Sequence, residues 1–227
     1  MNLPSYFFYT GASALEIRQR AEELYRTAKY NCSEAVMSAL RDAFFRDLPE
    51  YVIAATSGFP VGMGGAGCSC GAVNGGLVAL GLLFGRSQPK DLLQSGFCMN
   101  LARELHDEFK ERNKTLCCRV HTKDMQIGSK EHSEQCTRYT GDAAEITAAI
   151  IIREIASLSS ETVSSTLSAD SKVTEILIER PEAAEVFQRY GMTCLAFVIA
   201  NDETLRVAVT HKNLPLEDIC RDIGISP

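Results

Sequence analysis

The 227-residue sequence predicts an all-α protein, a helical bundle-like domain followed by a small four-helix domain. Three observations carry this expectation. Apolar residues recur at helical spacing in nearly every patterned stretch, no pair of alternating segments reads as strands, and helix-stopping residues stand where the periodic stretches end. A hydrophobic content of 45% with 23% charged residues describes a globular chain and excludes disordered and fibrous classes.

Ala14, Ile17, Ala21, Leu24 and Ala28 mark a first amphipathic helix. Cys32, Ala35, Val36, Ala39, Leu40, Ala43 and Phe44 mark a second. Asn31 caps it and Glu34 stands three residues on, which puts Cys32 in the first helical position on the apolar face. Residues 72–84 read as a helix buried all round. Leu93, Phe97, Leu101, Leu105 and Phe109 mark the next helix, and residues 144–155 a central apolar one. Between that helix and the tail, residues 158–172 hold six serines and read as a linker. The organisation is therefore 1–157, a cysteine-rich domain; 158–172, a linker; and 173–227, a small helical domain. In the last, Val173 opens a helix that stops before Pro181, the following helix ends in a left-handed cap at Gly191, and two short helices run near 203–210 and 215–223.

The net charge of −6 and pI near 5.3 give no basic footprint for nucleic acid. The longest apolar run, near residues 75–84, is far short of the roughly 20 residues of a membrane helix. The N-terminal stretch lacks the pattern of a secretory signal, so a cytoplasmic protein is expected. In that compartment nine cysteines do not make a disulfide framework. Metal, cluster or thiol redox chemistry is the expected use.

Residues 58–76 carry eight glycines together with Cys68 and Cys70. A Gly-x-Gly-x-x-Gly match at Gly62, Gly64 and Gly67 has no strand before it and is weak evidence for a dinucleotide. Free backbone amides beside a Cys-x-Cys suit an iron–sulfur cluster, whose sulfurs take hydrogen bonds; tight packing of two small residues is the alternative. Cys70 precedes the apolar helix, where the helix dipole should depress its pKa. Cys117 and Cys118 are adjacent, which disfavours a mutual disulfide. Cys136 falls in a polar stretch read as a loop, with no packing reason to be there. Cys98 and Cys220 fit apolar faces and read as core. His106, His121, His132 and His211 read as surface or helix-end residues. Zinc spacing, C-x-x-C and the haem-attachment C-x-x-C-H are all absent, so no c-type haem is expected.

Cys32 in YNCSEAV, Cys70 to Gly75 in CGAVNG, Cys118 in CCRV and Cys136 in EQCTRYTGDAAE together resemble the C_GCAxxG_C_C family of redox-active proteins, over roughly residues 18–157. The resemblance implies that these four cysteines form one site. Split-Soret cytochromes c, related helical dimers with haem and an iron–sulfur centre, imply a cluster here and a homodimer. Cys68 and Cys117, beside the signature positions, are expected as additional iron ligands. The tail, VTEILIERPEAAEVFQRYGMTC, is similar to the N-terminal helical domain of iron–sulfur cluster repair proteins, except that Phe197 stands where a second cysteine would follow Cys194. The leading expectation is an iron–sulfur protein that transfers or stores electrons with a redox partner protein, an oxidoreductase if it is an enzyme. A metal-free thiol–disulfide enzyme or sensor and a structural zinc module are the alternatives.

Overall fold

A computed structural model of the chain describes residues 3–89, 91–157, 167–192 and 195–227. Thirteen α-helices occur among the described residues, and extended backbone pairs only in isolated bridges. The all-α expectation holds. Met1–Leu83 with Ala102–Ser160 form one compact unit, and Phe84–Leu101 with Glu161–Pro227 a second. Residues 158–166, the greater part of the expected linker, lie outside the described residues.

The first unit is built on α1 (Ala14–Arg26), α2 (Cys32–Phe44) and α8 (Lys130–Ser157), which pack pairwise. A capping box opens α1: Ser13 N–H donates to Glu16 Oε2 at 2.7 Å and Glu16 N–H to Ser13 Oγ at 3.3 Å. The periodic side chains of α1, Ile17, Ala21 and Leu24, are buried, as are Val36, Leu40 and Phe44 of α2 and Ile146, Ile150 and Ile151 of α8. Burial of each such aliphatic or aromatic side chain stabilises the unit by about 1.5–3 kcal/mol. Arg18 ties α1 to α8, donating to Asp142 Oδ1 and Glu145 Oε2, each at 2.7 Å, and to Glu22 of its own helix at 2.8 Å. That register fixes Tyr25, two turns further along α1, beside α8.

Short helices α3 (Tyr51–Ala54) and α4 (Pro60–Met63) lead into α5 (Gly71–Phe84), buried along most of its length. Glycine lets α5 lie against α2: a Cβ on Gly75 would come within 2.5 Å of the Ser33 carbonyl. Helix α6 (Leu92–Asn113) follows the predicted Leu93–Phe109 periodicity, and α7 (Cys118–Thr122) is a short turn after it.

Helix α8 corrects the sequence reading. Its expected start was near Ala144, yet it begins at Lys130, so Cys136 lies in a helix and not in a loop. The early turns bury His132, Tyr139, Thr140 and Gly141 where aliphatic residues would ordinarily stand, and this hides the helical period. Ser129 opens the helix, its Oγ accepting from His132 N–H at 3.2 Å.

The tail helices of the second unit are α9 (Val173–Glu179), α10 (Ala183–Arg189), α11 (Leu195–Ala200), α12 (Leu205–His211) and α13 (Leu216–Ile223). Five helices stand where four were expected. The segment that forms α11 is too uniformly apolar and short to show a period. Val173, Ile176, Phe187, Leu195, Leu205 and Ile219 are buried in one core, against which Leu92 and Leu93 pack. The predicted cap of α10 is present: Gly191 has φ +80°, its N–H bonds Gln188 O at 3.0 Å, and Met192 N–H reaches back to Phe187 O at 2.9 Å. Cys220 is buried in this core, as expected of a packing residue. Cys194 lies outside the described residues.

Candidate functional site

Three of the signature cysteines stand at helix starts. Cys32 is the first residue of α2, and the Glu34 carboxylate accepts from Asn31 N–H at 2.9 Å as the sequence predicts. Cys70 immediately precedes α5, its carbonyl accepting the first helical bond from Asn74 N–H at 3.1 Å. Cys118 begins α7. Cys136 comes from the second turn of α8.

Two backbone devices bring these starts together. Residues 67–70 run antiparallel to 116–119, with Cys118 N–H donating to Cys68 O at 2.7 Å, Cys70 N–H to Leu116 O at 2.8 Å and Arg119 N–H to Gly67 O at 2.9 Å. This pairing, centred on the Ser69–Cys117 bridge, sets Cys118 opposite Cys68 and Cys70 opposite Leu116, and so brings the starts of α5 and α7 together. The glycine loop is the second device. Val61, Gly62, Met63, Gly64 and Gly65 all have positive φ, from 53° to 87°, so the chain makes a left-handed turn. For Val61, a β-branched residue at φ 53°, that conformation is strained. The turn brings the Val61 amide to the wall of the cavity that Cys32 lines, where it favours the Cys32 thiolate. At Gly71 a Cβ would lie 2.7 Å from Cys32 Sγ and 2.9 Å from the Phe59 carbonyl, so only glycine lets the Cys32 sulfur sit against the start of α5.

The result is a cavity of about 40 Å³ lined by Cys32, Cys70, Cys118 and Cys136 together with Tyr25, His132, Tyr139 and Thr140. All four thiols are free. The Val61 and Ser33 amides favour the thiolate of Cys32, and the Ala72 and Val73 amides that of Cys70. Cys136 differs, because side chains serve it. The nearby Tyr25 hydroxyl favours its thiolate, and His132 Nε2 lies 3.6 Å away. His132 Nδ1 accepts from Gly128 N–H at 3.3 Å, which leaves the proton of a neutral ring on Nε2, facing the sulfur.

Burial dominates the electrostatics. It pushes Cys32 up to about 11 and Cys70 and Cys136 up to about 12, with the other thiols adding to the shift, and it raises Cys118 as well. The expectation of a depressed Cys70 pKa is overturned. The amides of Ala72 and Val73 do favour the thiolate, but loss of hydration and the neighbouring Cys32 outweigh them. Among the described residues no three Cys, His, Asp or Glu side chains are grouped as a site for a single metal ion.

Cys68 and Cys117 do not line the cavity. Cys68 is exposed, and the Cys117 thiol is directed to Gly67 O at 3.5 Å. His132, 7% exposed at the cavity wall, is not the surface residue its sequence context suggested. The spacing His132, Cys136, Thr140 is a full i, i+4, i+8 stripe, and it was legible only once the segment was read as helix. His121 is partly buried and packs against Tyr139, with ring centroids 4.3 Å apart and planes tilted by 45°.

A family described as "Putative redox-active protein (C_GCAxxG_C_C)" matches residues 30–150. The chain belongs to this family. All four cysteines of the cavity lie inside the matched span, and with them Cys68, Cys98 and Cys117. No curated protein and no solved structure matches the chain. As in the sequence reading, no described helix is long and apolar enough to cross a membrane.

The cavity suits an iron–sulfur group in its donor chemistry. It offers four thiols, backbone N–H groups directed at two of them, and a Thr140 hydroxyl that is fully buried without a hydrogen-bond partner.

Proposed function

We propose that this C_GCAxxG_C_C protein holds an iron–sulfur cluster through Cys32, Cys70, Cys118 and Cys136 and uses it to transfer or store electrons with a redox partner protein in the cytoplasm, as a homodimer. The observation that carries the reading is the convergence of four free thiols, from three helices and the residue before a fourth, on one cavity. A single tetrahedral ion needs all its sulfurs about 2.3 Å from one point. Thiols distributed around a cavity suit a group with a core of its own.

Such a group, when bound, supplies a reversible one-electron couple. The protein's residues do the rest. The Val61, Ser33, Ala72 and Val73 amides favour negative charge on Cys32 and Cys70, Tyr25 and His132 face Cys136, and glycine lets the start of α5 close against Cys32. Cys68 and Cys117, outside the lining, are not ligands in this reading.

The test is anaerobic purification and reconstitution with iron and sulfide, followed by absorption spectroscopy and iron and sulfide analysis. Cys70→Ser should lose most of the bound iron, while Cys98→Ser, which changes a residue outside the cavity, should keep it. A wild-type protein that stays colourless and iron-free after reconstitution refutes the proposal, and zinc near one per chain would point to the structural module instead.

A further inference from the structure

We propose that the Thr140 hydroxyl is a hydrogen-bond donor to the bound iron–sulfur group, and so a positioning residue that raises its reduction potential. The inference rests on the cluster reading above. It starts from a contrast within α8. Thr137 and Thr147 use their hydroxyls in the way a helical threonine ordinarily does, donating to the carbonyl four residues back, Ser133 O at 2.8 Å and Ala143 O at 2.7 Å. Thr140 is as deeply placed as Thr147, with no exposed surface at all. Yet its hydroxyl bonds neither the Cys136 carbonyl nor any other group of the protein.

A buried hydroxyl without an acceptor is a standing cost, so its retention asks for an acceptor the chain does not supply. Thr140 lines the cavity of the four thiols, one turn beyond Cys136 on the same face of α8. The acceptors that chemistry would place there are sulfurs, carrying the negative charge of the reduced group. A hydrogen bond to such a sulfur favours the reduced state and moves the potential upward. With Tyr25 and His132 on the same side, the α1–α8 wall of the cavity becomes a row of side-chain donors, while the walls holding Cys32 and Cys70 donate through backbone amides.

Thr140→Val removes the hydroxyl at nearly constant volume, and Thr140→Ser keeps it. Two readouts are needed. In the metal-free protein, Thr140→Val should unfold at the same or a higher urea concentration than wild type, because no protein hydrogen bond is lost; a clear loss of stability would show a protein acceptor and overturn the proposal. In the reconstituted protein, Thr140→Val should carry wild-type iron but have a more negative midpoint potential, with Thr140→Ser returning toward wild type. Equal potentials in wild type and Thr140→Val would overturn the role of the hydroxyl and leave the cluster reading intact. A wild-type protein that binds no iron and sulfide would defeat both.

Discussion

Gly71→Ala is the sharpest probe of how the site is assembled. In an ordinary helical position the change is favourable, by about 0.5–1 kcal/mol, because alanine loses less backbone entropy on folding. Position 71 is not ordinary. The added Cβ would approach Cys32 Sγ to 2.7 Å and the Phe59 carbonyl to 2.9 Å, and the second neighbour is backbone that cannot rotate away. Overpacking of this kind costs roughly 1–3 kcal/mol, so the net change is a loss of about 0–2.5 kcal/mol. Gly81→Ala is the matched control in the same helix, with nothing within 4 Å of its added carbon, and it should gain about 0.5–1 kcal/mol. The two variants should therefore differ by roughly 1–3 kcal/mol, or several degrees in the melting of a chain this size. Circular dichroism of the metal-free proteins gives the stability difference, and iron content after reconstitution gives the functional one: Gly71→Ala pushes Cys32 from its seat and should lose iron, whereas Gly81→Ala should not. Equal stability and equal iron in the two variants would show that the close approach of Cys32 to α5 has no consequence.

Two further outcomes follow from the same geometry. Val61→Gly keeps the N–H directed at Cys32 while relieving a β-branched residue of a left-handed conformation, so it should stabilise the metal-free protein by about 1 kcal/mol without lowering iron content; a destabilised variant would mean that the Val61 side chain contributes more through packing than its backbone costs. The raised thiol pKa values fix the sign of a pH effect. Cys32, Cys70 and Cys136 stand at about 11, 12 and 12 in the folded metal-free protein against an ordinary value of 9.0, so above pH 9 the unfolded chain loses protons that the folded one retains. Their contribution is complete below that pH and is lost between about pH 9 and 12. The urea midpoint of the reduced, metal-free protein should fall as the pH rises through this window, and a flat profile would contradict burial of the thiols.

The legible parts of the fold were those in which aliphatic side chains mark the buried face. Helices α1, α2, α5 and α6 are of this kind, and the left-handed cap at Gly191 was equally plain because one residue type serves it. The first half of α8 was not legible, since the stripe it turns to the cavity consists of His132, Cys136 and Thr140 and therefore reads as polar surface. The site itself was half visible. Capping chemistry located Cys32, and the apolar run that follows located Cys70, at helix starts, but nothing local in the sequence pairs residues 67–70 with 116–119, the pairing that brings the starts of α5 and α7 together while Cys68 and Cys117 stay out of the cavity lining. Tyr25 carried no signal, because a tyrosine on an amphipathic helix is ordinarily core. The direction of the Cys70 pKa shift also depends on depth of burial, which spacing does not encode.

The electrostatics of the cavity bear on which kind of redox chemistry it can serve. A thiol that attacks a disulfide or a peroxide must be ionised near neutral pH, and proteins arrange this with a cation or a helix terminus in a partly open site. Here the helix termini are present, but no lysine or arginine lines the cavity, and His132, its pKa lowered by burial, is neutral at physiological pH. Cys70 is buried and Cys32 half-buried, with pKa values raised to about 12 and about 11. Each thiolate formed would further disfavour the next, so the four thiols resist ionisation more strongly with every proton removed. What reverses that trend is positive charge delivered to the sulfurs directly, with the amide and hydroxyl donors already aimed to share the remaining negative charge. The arrangement is poor for four independent nucleophiles and well matched to four ligands of one cationic centre.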